Sequence, residues 1–255
     1  MEFDPEKLAE FTGRMIAGDP VGFPGVDLHA SDISGRRFVF AVDLKRDPIQ
    51  RAHRDGKFYE EEELAAVKSI FPFGGTFVDI GANIGNHSLY VASFLAARKV
   101  IPFEPNPKAL KLLFANIAMN GLTDRFDLSH LGQGVAGNPG VGFGIEDRNR
   151  NIGAARMMPG EGEIQVTTGD IALANDDPDF IKIDVEGMEI EVLSGLRDTL
   201  ARCRPALLVE VDRENDTAFH ALLDEIGYAV VDTLQRYRQN KNYIVKPRPD
   251  GAAGR

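Results

Sequence analysis

The sequence predicts an α/β protein, a mostly parallel sheet with helices on both faces and a small N-terminal cap. Three observations carry this. From residue 76 onward, short apolar runs of strand character alternate with amphipathic stretches of helix length, the order that parallel strands joined by crossover helices require. "DFIKIDVEG" (179–187) reads as a buried strand leading into a helix. The first strand, "TFVDI" (76–80), breaks into "GANIG" (81–85) before a helix begins, and such sheets bind ligands beyond the carboxyl ends of their strands.

Residues 1–72 read as the cap. "GDPVGFPGVDL" (18–28) is loop, and "RRFVFAVDL" (36–44) alternates like a strand. "YEEEELAAVKSIF" (59–71) places Leu64, Val67 and Phe71 at helical spacing, with carboxylates in the first turn, where the helix dipole favours them. "PFGG" (72–75) punctuates. The main domain, 73–247, continues with a helix over 86–97 burying Leu89, Ala92 and Leu95, and a strand "KVIPFE" (99–104). A helix over 106–121 is closed by Asn120-Gly121. Strand-like pieces follow near 126–131 and 141–145, then the loop "EDRNRNIGAARMMPGEG" (146–162) and the strand "EIQVTT" (163–168). After the buried strand a helix runs through 200. "PALLVEVD" (205–212) is a strand, 215–226 a helix, and "YAVVDTL" and "NYIVK" are the closing strands. Residues 248–255 are expected to be disordered.

Composition narrows the function classes. The 255 residues are 43% hydrophobic and 27% charged, with a net charge of −10 and one cysteine, Cys203. An acidic chain is poorly suited to phosphate backbones, so no nucleic-acid partner is expected. A lone cysteine offers no disulfide framework or thiolate cluster, and no apolar run approaches the roughly 20 residues of a membrane span. A cytoplasmic protein is expected. Oligomeric state is not readable.

Asp79, Gly81, Gly85 and Glu104 form a nucleotide-binding pattern. Gly81 opens backbone angles closed to other residues, and the N–H groups of the next helix can hold an anion. Glu104 ends the second strand, near the spacing expected of a carboxylate that grips ribose hydroxyls. The dinucleotide fingerprint needs a second glycine where Asn83 stands. A ligand without a pyrophosphate fits better, and S-adenosyl-L-methionine is one. Asp79 either faces its cationic end or caps the turn. A nicotinamide-dependent oxidoreductase and a non-catalytic nucleotide-binding module are the alternatives.

"FVDIGANIGNHSLYVA" (77–92), "FEPNP" (103–107), "IKIDVEGMEIEVLSGL" (181–196), "RPALLVEVD" (204–212) and "NYIV" together resemble the FkbM family of S-adenosylmethionine-dependent methyltransferases. The resemblance covers about 40 to 245. It implies a class I methyltransferase (Rossmann-like) fold with a mostly parallel seven-stranded sheet, the last strand antiparallel. It also implies methyl transfer to a hydroxyl of a sugar, glycolipid, polysaccharide or secondary metabolite, with S-adenosyl-L-homocysteine as product. Carried over by position, Asp79, Gly81, Ala82, Asn83, Gly85 and Glu104 hold the cofactor. Gly134 and Val135, in "GQGVAG" (132–137), take the third-strand position that meets adenine. "GKFYEEEEL" (56–64) looks like the family's leading segment, so that Phe58 and Tyr59 pack over the cofactor. "TTGDIAL" (167–173) departs from the family's usual threonine-leucine-aspartate run at Gly169.

A hydroxyl acceptor needs a nearby base. Lys182, Asp184 and Glu186 alternate along the fourth strand and share a face. They form either a structural charge network or a base, Asp184 or Glu186, oriented by Lys182; Glu189 could join. His87 is the other base candidate, or else a buried histidine or a cofactor contact. No dedicated metal cage is visible, though an ion on Asp184 and a second carboxylate is conceivable. Arg148 and Asn151, with Asn149, Arg150 and Arg156, suit sugar hydroxyls or phosphate as a substrate loop.

Overall fold

The computed structural model describes residues 5–146, 152, 155–160 and 162–249. The first 72 residues, expected as a cap, carry α1 (Pro5–Ala17), the hairpin β1 (Asp27–Ile33) and β2 (Arg36–Val42), α2 (Pro48–Arg54) and α3 (Glu61–Ile70). The alternating part follows as β3 (Thr76–Ile80), α4 (Asn86–Phe94), β4 (Lys99–Phe103) and α5 (Pro107–Met119). Then come β5 (Gln133–Val135), β6 (Gly140–Ile145), β7 (Met157–Pro159), β8 (Ile164–Thr167) and α6 (Gly169–Ala172). The chain continues through β9 (Phe180–Ile183), α7 (Glu189–Ser194), α8 (Arg197–Cys203), β10 (Ala206–Asp212), α9 (Asp216–Ile226), β11 (Tyr228–Leu234) and β12 (Asn240–Pro247).

The principal sheet has six strands in the order β11-β12-β10-β9-β3-β4. β4, β3, β9 and β10 run parallel, and β12 is antiparallel to both of its neighbours. Alternation along the central strands feeds two cores. Phe77, Val100 and Phe180 pack under α3, α4, α5 and the cap; Val78, Ile80, Ile181, Ile183 and Val209 pack under α7, α8 and α9. Both faces are therefore buried, as parallel strands require.

Among the described residues the principal sheet has six strands rather than the expected seven. Beyond β4 the ladder shrinks to one parallel bridge, Val100 to Phe126, with Asp127 N–H donating to Val100 O. Asp127 then turns the chain, because its Oδ1 accepts both Ser129 N–H and Ser129 Oγ–H while its Oδ2 pairs with Lys99 at 2.8 Å. The "GQGVAG" segment meets that edge through Gly132 N–H, which donates to Glu104 O at 2.9 Å, but β5 pairs in parallel with β8 in a separate four-stranded sheet, order β5-β8-β6-β7. The single helix expected through 200 is two, broken at Gly195, where a Cβ would lie 2.3 Å from Ala136 O. Leu95 caps α4 half-buried rather than inside it. At the C-terminus, Arg248 N–H donates to Gly227 O; residues 250–255 lie outside the described residues.

Asn120 caps α5, and it also joins the cap to the domain. Its Oδ1 accepts Val39 N–H at 2.9 Å, its Nδ2 donates to Val39 O at 2.7 Å, and Asn116 Oδ1 accepts Ala41 N–H at 2.7 Å. Two amides on one helix face thus complete the edge of β2, an interaction invisible to periodicity.

Candidate active site

The carboxyl ends of β3, β4, β9 and β10 open into a cavity of about 480 Å³, within the usual range for small-molecule sites. Its first half is built at the turn after β3. Gly81 and Ala82 both donate their N–H to Phe103 O at 3.0 Å, and Asn83 N–H donates to Glu104 Oε2 at 2.6 Å. Gly81 has φ +80°, and a Cβ there would lie 1.8 Å from Asp184 O, so only glycine fits. Asn83 also sits in the left-handed region, φ +52°, which asparagine tolerates better than most residues. Its buried Oδ1 has no hydrogen-bond partner. Glu104 Oε1 accepts Asn106 N–H at 2.7 Å. Burial pushes the Glu104 carboxyl up to about 7, against the two amide bonds and nearby Lys182, which favour its charge. Gly134 and Val135 line the same half.

Asp79 and Gly85 do not line the cavity. Asp79 is fully buried; its Oδ2 accepts Ser88 N–H at 3.2 Å and Ser88 Oγ–H at 2.7 Å, and its Oδ1 lies 3.3 Å from Lys182 Nζ. The carboxylate meeting the first turn of α4 is the protein's own. Gly85, φ +92°, initiates that helix against Leu113. Phe58 does not line the cavity either: it is buried among Phe38, Phe40, Tyr90 and Phe94.

The second half is acidic. Lys182 Nζ donates to Gly81 O at 2.8 Å and lies 3.3 Å from both Asp79 Oδ1 and Asp184 Oδ2. Burial works against its charge, but Asp184, Asp79 and Glu60 hold its pKa above the ordinary lysine range. Lys182, Asp184 and Glu186 do meet at the cavity, although β9 ends at Ile183 and Glu186 arrives with φ +53°. Glu189 does not join them; it accepts Asp212 N–H and Asn215 Nδ2–H, both at 2.9 Å, and belongs to the scaffold. His87 lines the cavity yet is 4% exposed, and burial and the Lys182 charge lower it to about 3. Both causes favour the neutral form of the imidazole.

Several wall residues were not singled out from sequence. Glu60 lies at φ +59° with its Oε2 3.9 Å from His87 Nε2; burial and then Asp184 raise it to about 8. Among the described residues, six non-glycines have positive φ, and Glu60, Asn83 and Glu186 line this one cavity. Such strain gathers at functional sites. Glu210 comes from β10, one register step past the Ile183–Val209 pair and so beside Asp184. A glutamate inside the apolar run "LLVEVD" was the signal that could have found it. Arg156 pairs with Asp212 at 2.7 Å, and Tyr59 reaches Tyr237 by a hydroxyl–hydroxyl bond with Arg236 over its ring. Arg148 and Asn151 lie outside the described residues.

The site thus joins a parallel α/β sheet with an antiparallel strand in its second half, a glycine turn after the first core strand and a carboxylate after the second. The model of the FkbM methyltransferase domain matches residues 79–244, and the chain belongs to that family. No curated protein matches it. Among solved structures, the methyltransferase FkbM of Methylobacillus flagellatus is 21% identical with a TM-score of 0.49; the match covers 69% of this chain and 45% of that one. The tRNA m1G37 methyltransferase of M. jannaschii is 13% identical at TM-score 0.50, covering 87% of this chain and 55% of its own. The chain thus spans about half the length of both proteins.

Proposed function

We propose that the protein is an S-adenosyl-L-methionine-dependent O-methyltransferase acting on a hydroxyl of a sugar, glycolipid, polysaccharide or secondary metabolite. The observation that carries this is the division of one cavity into two halves: a glycine cradle closed by Glu104, and an acidic wall facing it. The residues fit the cofactor, since Asn83 Oδ1 is a buried acceptor without a partner and Glu104 lines the cavity beside it. Glu104 accepts from the ribose hydroxyls, Gly134 and Val135 flank the base, and S-adenosyl-L-homocysteine is the product. When bound, the cofactor supplies an already activated methyl group on a sulfonium.

The protein's own work is then alignment and proton removal. Orienting an acceptor oxygen at attack distance can supply about 7–11 kcal/mol. Asp184 accepts the hydroxyl proton, with Lys182 holding it in place; Glu186 is the second candidate. The acidic wall repels a phosphate backbone, which supports a carbohydrate or small-molecule acceptor over RNA.

The test is to incubate the protein and labelled S-adenosylmethionine with fractionated cell extract. Label in a carbohydrate or small-molecule fraction is the expected result. Label confined to nucleic acid or protein would refute the acceptor class, and absence of calorimetric binding of the cofactor would refute the whole reading.

A further inference from the structure

We infer that Asp184, Glu186 and Glu210 form a binding site for one hard divalent cation in the acceptor half of the cavity. One carboxylate oxygen from each residue lies within 4.8 Å of the others. Oxygens across a calcium-sized ion stand about 4.6–5.2 Å apart, and closer for magnesium, so three oxygens at this spacing can ligate one ion with little movement.

Glu210 stands on β10, and Asp184 and Glu186 follow the end of β9, its parallel neighbour in the sheet. Asp184 N–H donates to Ile80 O at 3.0 Å, tying the first ligand to β3. Glu210 Oε1 accepts Asn240 Nδ2–H at 2.6 Å, which orients the second from β12. Glu186 is delivered by a strained left-handed turn next to Gly187, φ +101°.

A second observation points to a ligand at this wall. His87 Nε2 is buried, has no hydrogen-bond partner and is presented to the same cavity. It stands beyond hydrogen-bond distance of Glu60 Oε2. Water in the shell of a bound cation would give this ring nitrogen a partner.

The local charge agrees. Lys182 already serves Asp79 and Asp184, and Arg156 serves Asp212, whereas the partner orienting Glu210 is a neutral amide. The carboxyl groups of Asp184, Glu60 and Glu186 crowd Glu210 with like charge. A divalent ion reverses that repulsion. Lying where the acceptor is expected, the ion would position the acceptor hydroxyl and make it more acidic. That role rests on the methyltransfer reading; the binding itself does not.

The experiment titrates the full chain with Mn²⁺, following the free ion by electron paramagnetic resonance, and measures S-adenosyl-L-homocysteine binding by calorimetry on the same samples. One bound ion per chain, displaced by Mg²⁺ or Ca²⁺, is expected. Glu210→Gln and Glu186→Gln should each weaken it tenfold or more, and the exposed Asp124→Asn should leave it unchanged. The calorimetry reports folding and the cofactor half independently of the ion. An undiminished free-ion signal, or binding indifferent to both glutamine variants, overturns the site. Glucosamine binding that depends on Glu210 while no divalent ion binds would assign these carboxylates to an ammonium group, and so overturn it too. Ion binding without homocysteine-nucleoside binding would sink the function proposed above and leave the site standing; the converse would sink the site alone.

Discussion

The backbone N–H of Asn83 donates to Glu104 Oε2 at 2.6 Å, so the carboxylate after the second core strand holds the turn after the first. The other oxygen takes Asn106 N–H. Glu104→Ala leaves two amides without their acceptor, at about 1–3 kcal/mol each. Urea denaturation should show a loss of a few kcal/mol, and calorimetry at least a tenfold loss of S-adenosylmethionine affinity. An unchanged midpoint and affinity would remove Glu104 from both roles.

The same carboxyl sets a pH dependence. Its folded pKa, about 7, lies above the ordinary 4.5. The folded protein therefore keeps this proton where the unfolded chain has lost it. The stability this contributes is complete below about pH 4.5 and disappears as pH rises through 7. Melting temperatures of the wild type and Glu104→Gln, compared from pH 5 to 8.5, should diverge upward through neutrality, with the wild type losing ground. Cofactor affinity should run the opposite way, rising with pH, because ribose hydroxyls favour the ionised acceptor.

Gly81 and Gly74 share a left-handed backbone but differ in surroundings. A Cβ on Gly81 meets Asp184 O at 1.8 Å, whereas one on Gly74 meets nothing within 4 Å. Gly74→Ala should cost only the conformational term, about 1–2 kcal/mol. Gly81→Ala should cost more and abolish cofactor binding, because the turn and the end of β9 must separate. Equal losses in thermal denaturation would show that the close approach is unimportant.

Lys182 is nearly buried between Asp79 and Asp184. Lys182→Met strands the Asp79 charge in the sheet, a change of about 3–5 kcal/mol where a buried pair is broken. Asp79→Asn in the same chain should recover part of it, since the uncompensated charge is gone. A double variant no more stable than Lys182→Met in urea would mean that the two side chains are not coupled.

Much of the framework follows from local pattern. The glycine turn, the Asn120-Gly121 helix stop and the β9 run are short-range features, and α3, α5 and α9 appear where periodicity and that stop put them. The missing seventh strand depends on Asp127 turning the chain after one bridge, a competition between side-chain bonds and a ladder that composition does not reveal. Glu210 carries a sequence signal, a charge inside an apolar strand, but its partners come from register between strands 26 residues apart. Glu60 carries none, because its place on the wall depends on a left-handed backbone, φ +59°. Asp79 shows the converse: its type and position suit a ligand contact, yet Ser88 and Lys182 take its oxygens.

Tyr59 and Glu60 reach the cavity from a stretch that precedes residue 79, where the shared family domain begins. The cavity is thus walled by two parts of the chain, the matched domain and the stretch before it. Exchanging residues 48–72 between two family members should change acceptor preference while leaving the Michaelis constant for the methyl donor nearly where it was.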